Sequence, residues 1–371
     1  MSTNRAVRIH GKNDIRIENL PIPEPQENWV QLRMSSVGLC RTDVHLFDEG
    51  RVDHIVIDKP ITIGHEISGT VSKLGSGVTS LAVGDRVAVD PCRACGDCHQ
   101  CCRGRPNICR QLHCCGVLHA DGGFATYMVT PAKTCYKLPD HVSLEEGAMM
   151  EPLSVGVNGV RRAGMVDGDV VVVIGAGPIG LFAMQVAKAL GASRVMMVGK
   201  SMLKTNSFKA LLEHDFSYTD INPKRLELAL QMGVDQVLKP TVGLSDPKAA
   251  SEELKAALGD EADLCIECSG APGVVDLAIH ACRPGGKVLM LGFGDMAMNV
   301  HLGMAAVREI DVIGSFANLH NYPECIRLVS EGKIDVRSAI THRLPLENVM
   351  EGINLVRSGE SVKVVINCGA C

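Results

Sequence analysis

Val170-Val-Val-Val-Ile174, Gly175-Ala-Gly177-Pro178-Ile179-Gly180 and Leu181-Phe-Ala-Met-Gln-Val-Ala-Lys-Ala-Leu190 follow one another near the middle of a chain of 371 residues. Five consecutive apolar β-branched residues between Asp169 and Gly175 read as a fully buried strand. The residues from Leu181 to Leu190 have helical composition. A G-x-G-x-x-G run between such a strand and such a helix is the context that a dinucleotide-binding turn requires. Gly175 permits the tight turn, Gly177 lets backbone approach a pyrophosphate, and Gly180 lets the helix pack on the strand. Pro178 and Ile179 open a helix whose N-terminus faces the phosphates.

The pattern around this stretch is that of a doubly wound α/β sheet. Arg194–Val198, Leu264–Cys268, Lys287–Leu291 and Asp311–Gly314 read as further parallel strands, with helical stretches between most of them. Before about residue 158 the chain is different. Ala6–Ile9, Trp29–Arg33 and Asp85–Val89 are short strand patterns punctuated by Pro21, Pro23 and Pro25, which makes this an irregular β-rich unit. The mixed pattern returns after about residue 317. The expected division is therefore 1–157 with 317–371, and 158–316.

Composition narrows the function classes. Hydrophobic residues at 46% and charged residues at 21% allow a large core and argue against disorder. A net charge of −5 and aromatics at 3% argue against a nucleic-acid partner. No apolar run reaches the length of a membrane span, and Met1-Ser-Thr-Asn-Arg5 lacks a signal-peptide core, so no membrane partner and a cytoplasmic location are expected.

Two constellations carry metal chemistry. Cys95, Cys98, Cys101 and Cys109 have the spacing of four thiolates closing on one tetrahedral zinc, a structural role because no position stays open. Cys92 and Cys102 lie close enough in sequence to substitute for a neighbour. The second set is Cys40, Thr42 and His45, then His65 and Glu66, then Glu151: thiolate, imidazole and carboxylate are ligand types that a catalytic zinc takes with an open fourth position.

The residues also carry a family pattern. Cys40-x-Thr42-Asp43-Val44-His45, Gly64-His65-Glu66, Gly84-Asp85-Arg86-Val87, the four-cysteine loop, Glu151-Pro-Leu-Ser154, the Gly175 turn, Glu267-Cys-Ser-Gly270 and Arg283-Pro-Gly-Gly286 occur in order. The chain resembles the zinc-dependent medium-chain dehydrogenases, and among them the polyol dehydrogenases, over nearly its whole length. The resemblance implies a GroES-like catalytic domain interrupted by a Rossmann domain, and a homotetramer or homodimer. It implies a catalytic zinc on Cys40, His65 and Glu66, with Glu151 beside or in place of the metal water. The resemblance further implies that hydride passes between an alcohol or polyol and NAD, with NADP as the alternative, and that a proton leaves through Thr42 to His45.

Three departures qualify the resemblance. Arg41 stands where the family usually has glycine. Ala317-Asn318 replaces the Arg-Tyr pair that contacts polyols, which weakens the case for sorbitol itself and favours a smaller or differently substituted alcohol. Residues 199–218 read as an insertion. Without them Asp220 falls 20 residues beyond the glycine turn, where an acid accepts from the ribose 2′-hydroxyl. With them Lys200 and Lys204 follow the strand and would tolerate NADP. A threonine-type amino-alcohol dehydrogenase, or a silent member whose cofactor site the insertion disrupts, are the competing expectations.

Overall fold

The computed structural model describes residues 3–52, 55–117, 119–199, 223–242, 246–294 and 297–369. They form two compact units: residues 1–154, 318–332 and 336–371, and residues 155–317 with 333–335. Asp220, Lys200 and Lys204 lie outside the described residues, as does nearly all of the expected insertion 199–218.

The second unit is a six-stranded, wholly parallel sheet. Its spatial order is Gln236–Leu238, Arg194–Val198, Val170–Ile174, Ala262–Glu267, Cys282–Met290, Asp311–Gly314. This is a doubly wound order in which the direction of winding reverses beside Val170–Ile174, and ligands bind such sheets at the carboxyl ends of the strands flanking the reversal. Val171, Val172, Val173 and Ile174 are all buried, because helices cover both faces of a parallel sheet and no polar alternation survives. Val172, Met196, Cys265 and Val288 pack with Leu254 and Leu277 of the helices Pro247–Leu258 and Val274–Ala281.

Two strands begin earlier than the apolar runs predict. The fourth starts at Ala262, and the fifth at Cys282, across a register shift between Ala262 and Leu264. The edge strand Gln236–Leu238 is missed by pattern because it has three half-buried residues and one hydrogen-bonded neighbour. Residues 333–335 belong here because buried Gln185 donates from Nε2 to Asp335 O (3.0 Å) and accepts the Asp335 N–H (2.7 Å).

The first unit is built on a seven-stranded sheet. Trp29–Leu39 lies at its centre, antiparallel to Glu66–Leu74, Tyr127–Pro131 and Lys363–Asn367. Arg86–Val89 and Cys135–Lys137 extend one side, and Ile340–Pro345 the other. Val30, Leu32, Val37, Leu39, Ile67, Val71, Val87, Val364 and Ile366 fill its core. A smaller sheet joins Asn4–Gly11 to Asp14–Leu20 and Ile61–Thr62. Among the described residues no helix is long and apolar enough to cross a membrane.

Candidate active site and metal centres

Three sheet neighbours position the first cluster. Trp29–Leu39 ends one residue before Cys40, which caps the helix Arg41–Glu49. Gly38 pairs with Glu66 at the start of Glu66–Leu74. Leu39 pairs with Val364, which places Lys363 alongside. Ligand atoms of Cys40, His65 and Glu66 lie within 4.8 Å of one another. A Cβ built on Gly38 would fall 1.8 Å from Glu66 Oε2, so the carboxylate occupies space that only glycine leaves open.

Asp43, fully buried, organises this cluster. Its Oδ2 accepts the Cys40 N–H (2.9 Å) and its Oδ1 the Gly64 N–H (3.2 Å), and Oδ1 faces His65 Nδ1 at 3.6 Å. Two buried atoms, His65 Nδ1 and Glu66 Oε2, have no hydrogen-bond partner. Burial opposes charge on the His65 ring, yet the facing charges of Asp43 and Cys40 raise its pKa well above that of an ordinary imidazole. Unpaired donor atoms in an electronegative pocket fit a bound cation, and thiolate, imidazole and carboxylate fit zinc.

Lys363 is the residue that sequence reasoning missed. It is 3% exposed, pairs with Glu66 Oε1, and donates to Leu39 O at 3.3 Å. Burial pulls its pKa down, but the charges of Glu66 and Cys40 raise it overall. An isolated lysine 297 residues from its partner gives no local signal; the sheet register brings them together.

Glu151 opens the helix Met150–Arg162. It stands outside the three-residue cluster but within electrostatic range of it. Burial raises its pKa to about 7, with Glu66 and Asp90 adding to the rise and His65 and Lys363 opposing it. Raised from 4.5 to about 7, the carboxyl stabilises the metal-free fold fully below pH 4.5, and this contribution is lost as pH rises through 7. Denaturant unfolding of zinc-free protein at pH 5 and pH 8 is therefore expected to show a loss of stability that Glu151→Gln diminishes. An unchanged pH slope in the variant would assign the titration to another group.

Thr42 and His45 sit one turn apart on the helix Arg41–Glu49. Thr42 Oγ1 lies 3.6 Å from Cys40 Sγ, and His45 Nδ1 faces Glu49 at 3.5 Å on the more open side.

The second cluster holds Cys95, Cys98, Cys101 and Cys109, with sulfur–sulfur distances of 3.4 to 3.9 Å. The N–H groups of Cys101 and Arg110 bring the Cys98 thiol down to about 6, and the Cys95 N–H lowers that of Cys109. The other two thiols move the opposite way, Cys95 up to about 12 beside Asp97 and Cys101 up through burial, so backbone donors favour thiolate at two of the four positions. Cys102 points away, donating to Asp97 O at 3.3 Å, and Cys92 forms a disulfide with Cys114. That bridge was not anticipated: its two cysteines are 22 residues apart and meet as cross-strand partners of Cys92–Arg93 and His113–Cys115.

In the second unit, Gly175 has φ +109° and donates its N–H to Val198 O. Gly177 caps the helix Pro178–Ala189, and a Cβ built on it meets nothing within 4 Å, leaving room for a ligand beside a helix N-terminus with no side-chain cap. Pro178 and Ile179 are half-buried in the first helical turn. At Gly180 a Cβ would lie 1.9 Å from Gly175 O, a backbone atom that cannot yield. Gly180→Ala is expected to displace the turn and weaken NAD binding at least about tenfold, roughly 1.4 kcal/mol, read by fluorescence titration of NADH; unaltered affinity would show that this turn does not hold the pyrophosphate.

Known proteins match this architecture. Residues 26–140 match the alcohol dehydrogenase GroES-like domain, and residues 212–331 the zinc-binding dehydrogenase domain. The chain is 37% identical to human sorbitol dehydrogenase over 365 residues, covering 98% of the chain and 96% of the relative. It is also 37% identical to sorbitol dehydrogenase of Bombyx mori over 367 residues, 99% of each. A solved structure described as a short chain alcohol dehydrogenase from E. coli CFT073, complexed with NADH, superposes with a TM-score of 0.85 at 29% identity, covering 99% of this chain and 100% of that one. A zinc-binding dehydrogenase from Sinorhizobium meliloti 1021 bound to NADP gives the same score, identity and coverage. Neither the amino-alcohol alternative nor the silent one is favoured by these relatives. The chain belongs to the zinc-dependent medium-chain dehydrogenases, in their polyol dehydrogenase-like branch, a family of zinc- and NAD(P)-dependent oxidoreductases of alcohols and polyols.

Proposed function

We propose that this chain oxidises a secondary alcohol or short polyol to the ketone, with Cys40, His65 and Glu66 holding the catalytic zinc and Cys95, Cys98, Cys101 and Cys109 a structural one. The observation that carries the reading is half-buried Cys40 clustered with buried His65 and Glu66, each of the latter two with a polar atom that lacks a hydrogen-bond partner, beside an enclosed lysine. When bound, zinc supplies Lewis acidity toward a hydroxyl and NAD(P) accepts hydride. Lys363 fixes the Glu66 carboxylate, and Asp43 fixes the helix cap that carries Cys40. Thr42 passes the hydroxyl proton on, and His45, half-buried, releases it toward solvent. Glu151, with a pKa near neutrality, exchanges a proton with the same pocket. In this reading the first unit is catalytic and the second binds the dinucleotide on Gly175, Gly177, Pro178, Ile179 and Gly180, with Asp220 as the ribose acid.

Substrate size follows from Ala317 and Asn318. Ala317 adopts φ +51° and its carbonyl accepts from Asn158 Nδ2 (2.9 Å), while Asn318 is buried and donates to Asp90. Asn318 is thus committed to the protein rather than to a hydroxyl-rich chain. The test is a panel of polyols and secondary alcohols with NAD and with NADP, on the full chain and on one lacking residues 199–218. Turnover of small diols with NAD supports the reading; no turnover by either chain sinks it.

We also propose a homodimer or homotetramer in the cytoplasm. Support for association is the edge strand Asp311–Gly314, hydrogen-bonded to one neighbour, with exposed Leu302, Met304, Val307 and Val312 on and before it. Support for the compartment is that thirteen of the fifteen described cysteines are unbridged, against the one disulfide of Cys92 and Cys114. Mass photometry reads the first directly.

A further inference from the structure

Arg93, Lys133 and His320 line one cavity of about 300 Å3 within the first unit, together with Asp90, Tyr136 and Asn318. None of these belongs to the cluster of Cys40, His65 and Glu66. The cavity lies beside the four-cysteine loop, whose Cys101 forms part of its wall.

Two of these cations, Arg93 and Lys133, stand apart from the carboxylates, while His320 is within electrostatic range of Asp90. Arg93 stacks over the Trp29 ring at 5.1 Å, and its buried Nε has no hydrogen-bond partner. No carboxylate of the described residues stands within ion-pair distance of Arg93 or of the exposed Lys133. The acid in the same wall is otherwise engaged: Asp90 Oδ1 accepts from Cys92 N (2.9 Å) and Asn318 Nδ2 (3.1 Å), and burial raises its pKa. A buried, unpaired guanidinium nitrogen costs stability unless an acceptor reaches it.

A guanidinium fork with a nearby ammonium is the pairing that recognises phosphate, by bidentate bonds from arginine and a point charge from lysine. The volume is about ten times the roughly 30 Å3 that one water occupies, which exceeds a bare ion and falls at the lower end of small-ligand pockets. We propose that this cavity is a binding site for a small phosphate monoester, its phosphate held by Arg93 and Lys133 with the His320 imidazole as a further donor and its short carbon chain against Tyr136. The site shares no residue with the proposed catalytic zinc cluster or with the glycine turn; Asn318 of its wall is also one of the two positions that bear on substrate size.

The test is calorimetric titration of the full-length, zinc-loaded protein, saturated with NAD so that the dinucleotide site is filled. Glycerol 3-phosphate is the probe, with inorganic phosphate and glycerol as comparisons. Glycerol 3-phosphate is expected to bind, inorganic phosphate more weakly, and glycerol not detectably. Lys133→Met and Arg93→Met should each weaken the ester at least about tenfold, the scale of one charge-assisted hydrogen bond, and leave the KM for NAD unchanged. Lys133 is exposed, so its variant decides the matter even if Arg93→Met fails to fold. Absence of binding at millimolar ester, affinity unmoved by Lys133→Met, or equal binding of glycerol would each overturn the proposal. So would binding that survives both substitutions and disappears on zinc removal, since that places the phosphate on the metal.

Discussion

A Gly38→Ala chain is expected to fold but to lose the first zinc and at least about a hundredfold in kcat/KM, the scale on which misplacing a catalytic group by an ångström acts. The new Cβ would stand 1.8 Å from Glu66 Oε2 and 2.9 Å from the carboxyl carbon. These atoms are the mobile end of a side chain, so the sheet need not open; the carboxylate swings away instead. In moving, it breaks its pair with Lys363 and withdraws an oxygen from Cys40 and His65. Zinc content by mass spectrometry should fall from two ions per chain to one, with the four-cysteine site retained. Full zinc and full activity in this variant would remove Glu66 from the ligand set.

Lys363→Met should be the most destabilising single change near the site, by about 3–5 kcal/mol in denaturant unfolding, the usual cost of stranding one member of a buried ion pair. Both side chains are at most 4% exposed, so water cannot replace the lost ammonium. The double variant Glu66→Leu with Lys363→Met should recover much of that loss, because no charge is then stranded. If the single and double variants unfold alike, the pair contributes nothing specific and the lysine acts by volume alone.

The part of this fold that was legible from sequence is the part held together by local pattern. Val170–Ile174 reads as a buried strand because a sheet covered on both faces removes polar alternation, and the turn after it needs glycine for reasons confined to six residues. The three-residue strand Gln236–Leu238 was not legible, being too short for a period and too exposed for a run. In the candidate site, Cys40, His65 and Glu66 could be named from short motifs, and the structure brings them together. Lys363 could not, nor could the task of Asp43, whose place in a quoted motif says nothing of its bonds to Cys40 and Gly64. Both depend on which strands become neighbours. The pairing of Cys92 with Cys114 has the same origin: it withdraws one of two spare cysteines from a zinc loop whose spacing left the choice open. Asp220, on which cofactor preference turns, lies outside the described residues.

Lys363–Asn367 is an interior strand, between Trp29–Leu39 and Ile340–Pro345. During synthesis this has an order of events. The whole of 155–317 leaves the ribosome before the last strand exists, and can collapse on its own local contacts while the amino-terminal sheet still has an open flank at Leu39. Until residues 363–367 arrive, Glu66 has no ammonium beside it and an unpaired strand edge stays exposed to other chains. Metal loading at Cys40, His65 and Glu66 should accordingly be a late event in the life of each nascent chain, and trimming residues 363–367 should harm a cluster whose ligands were made first.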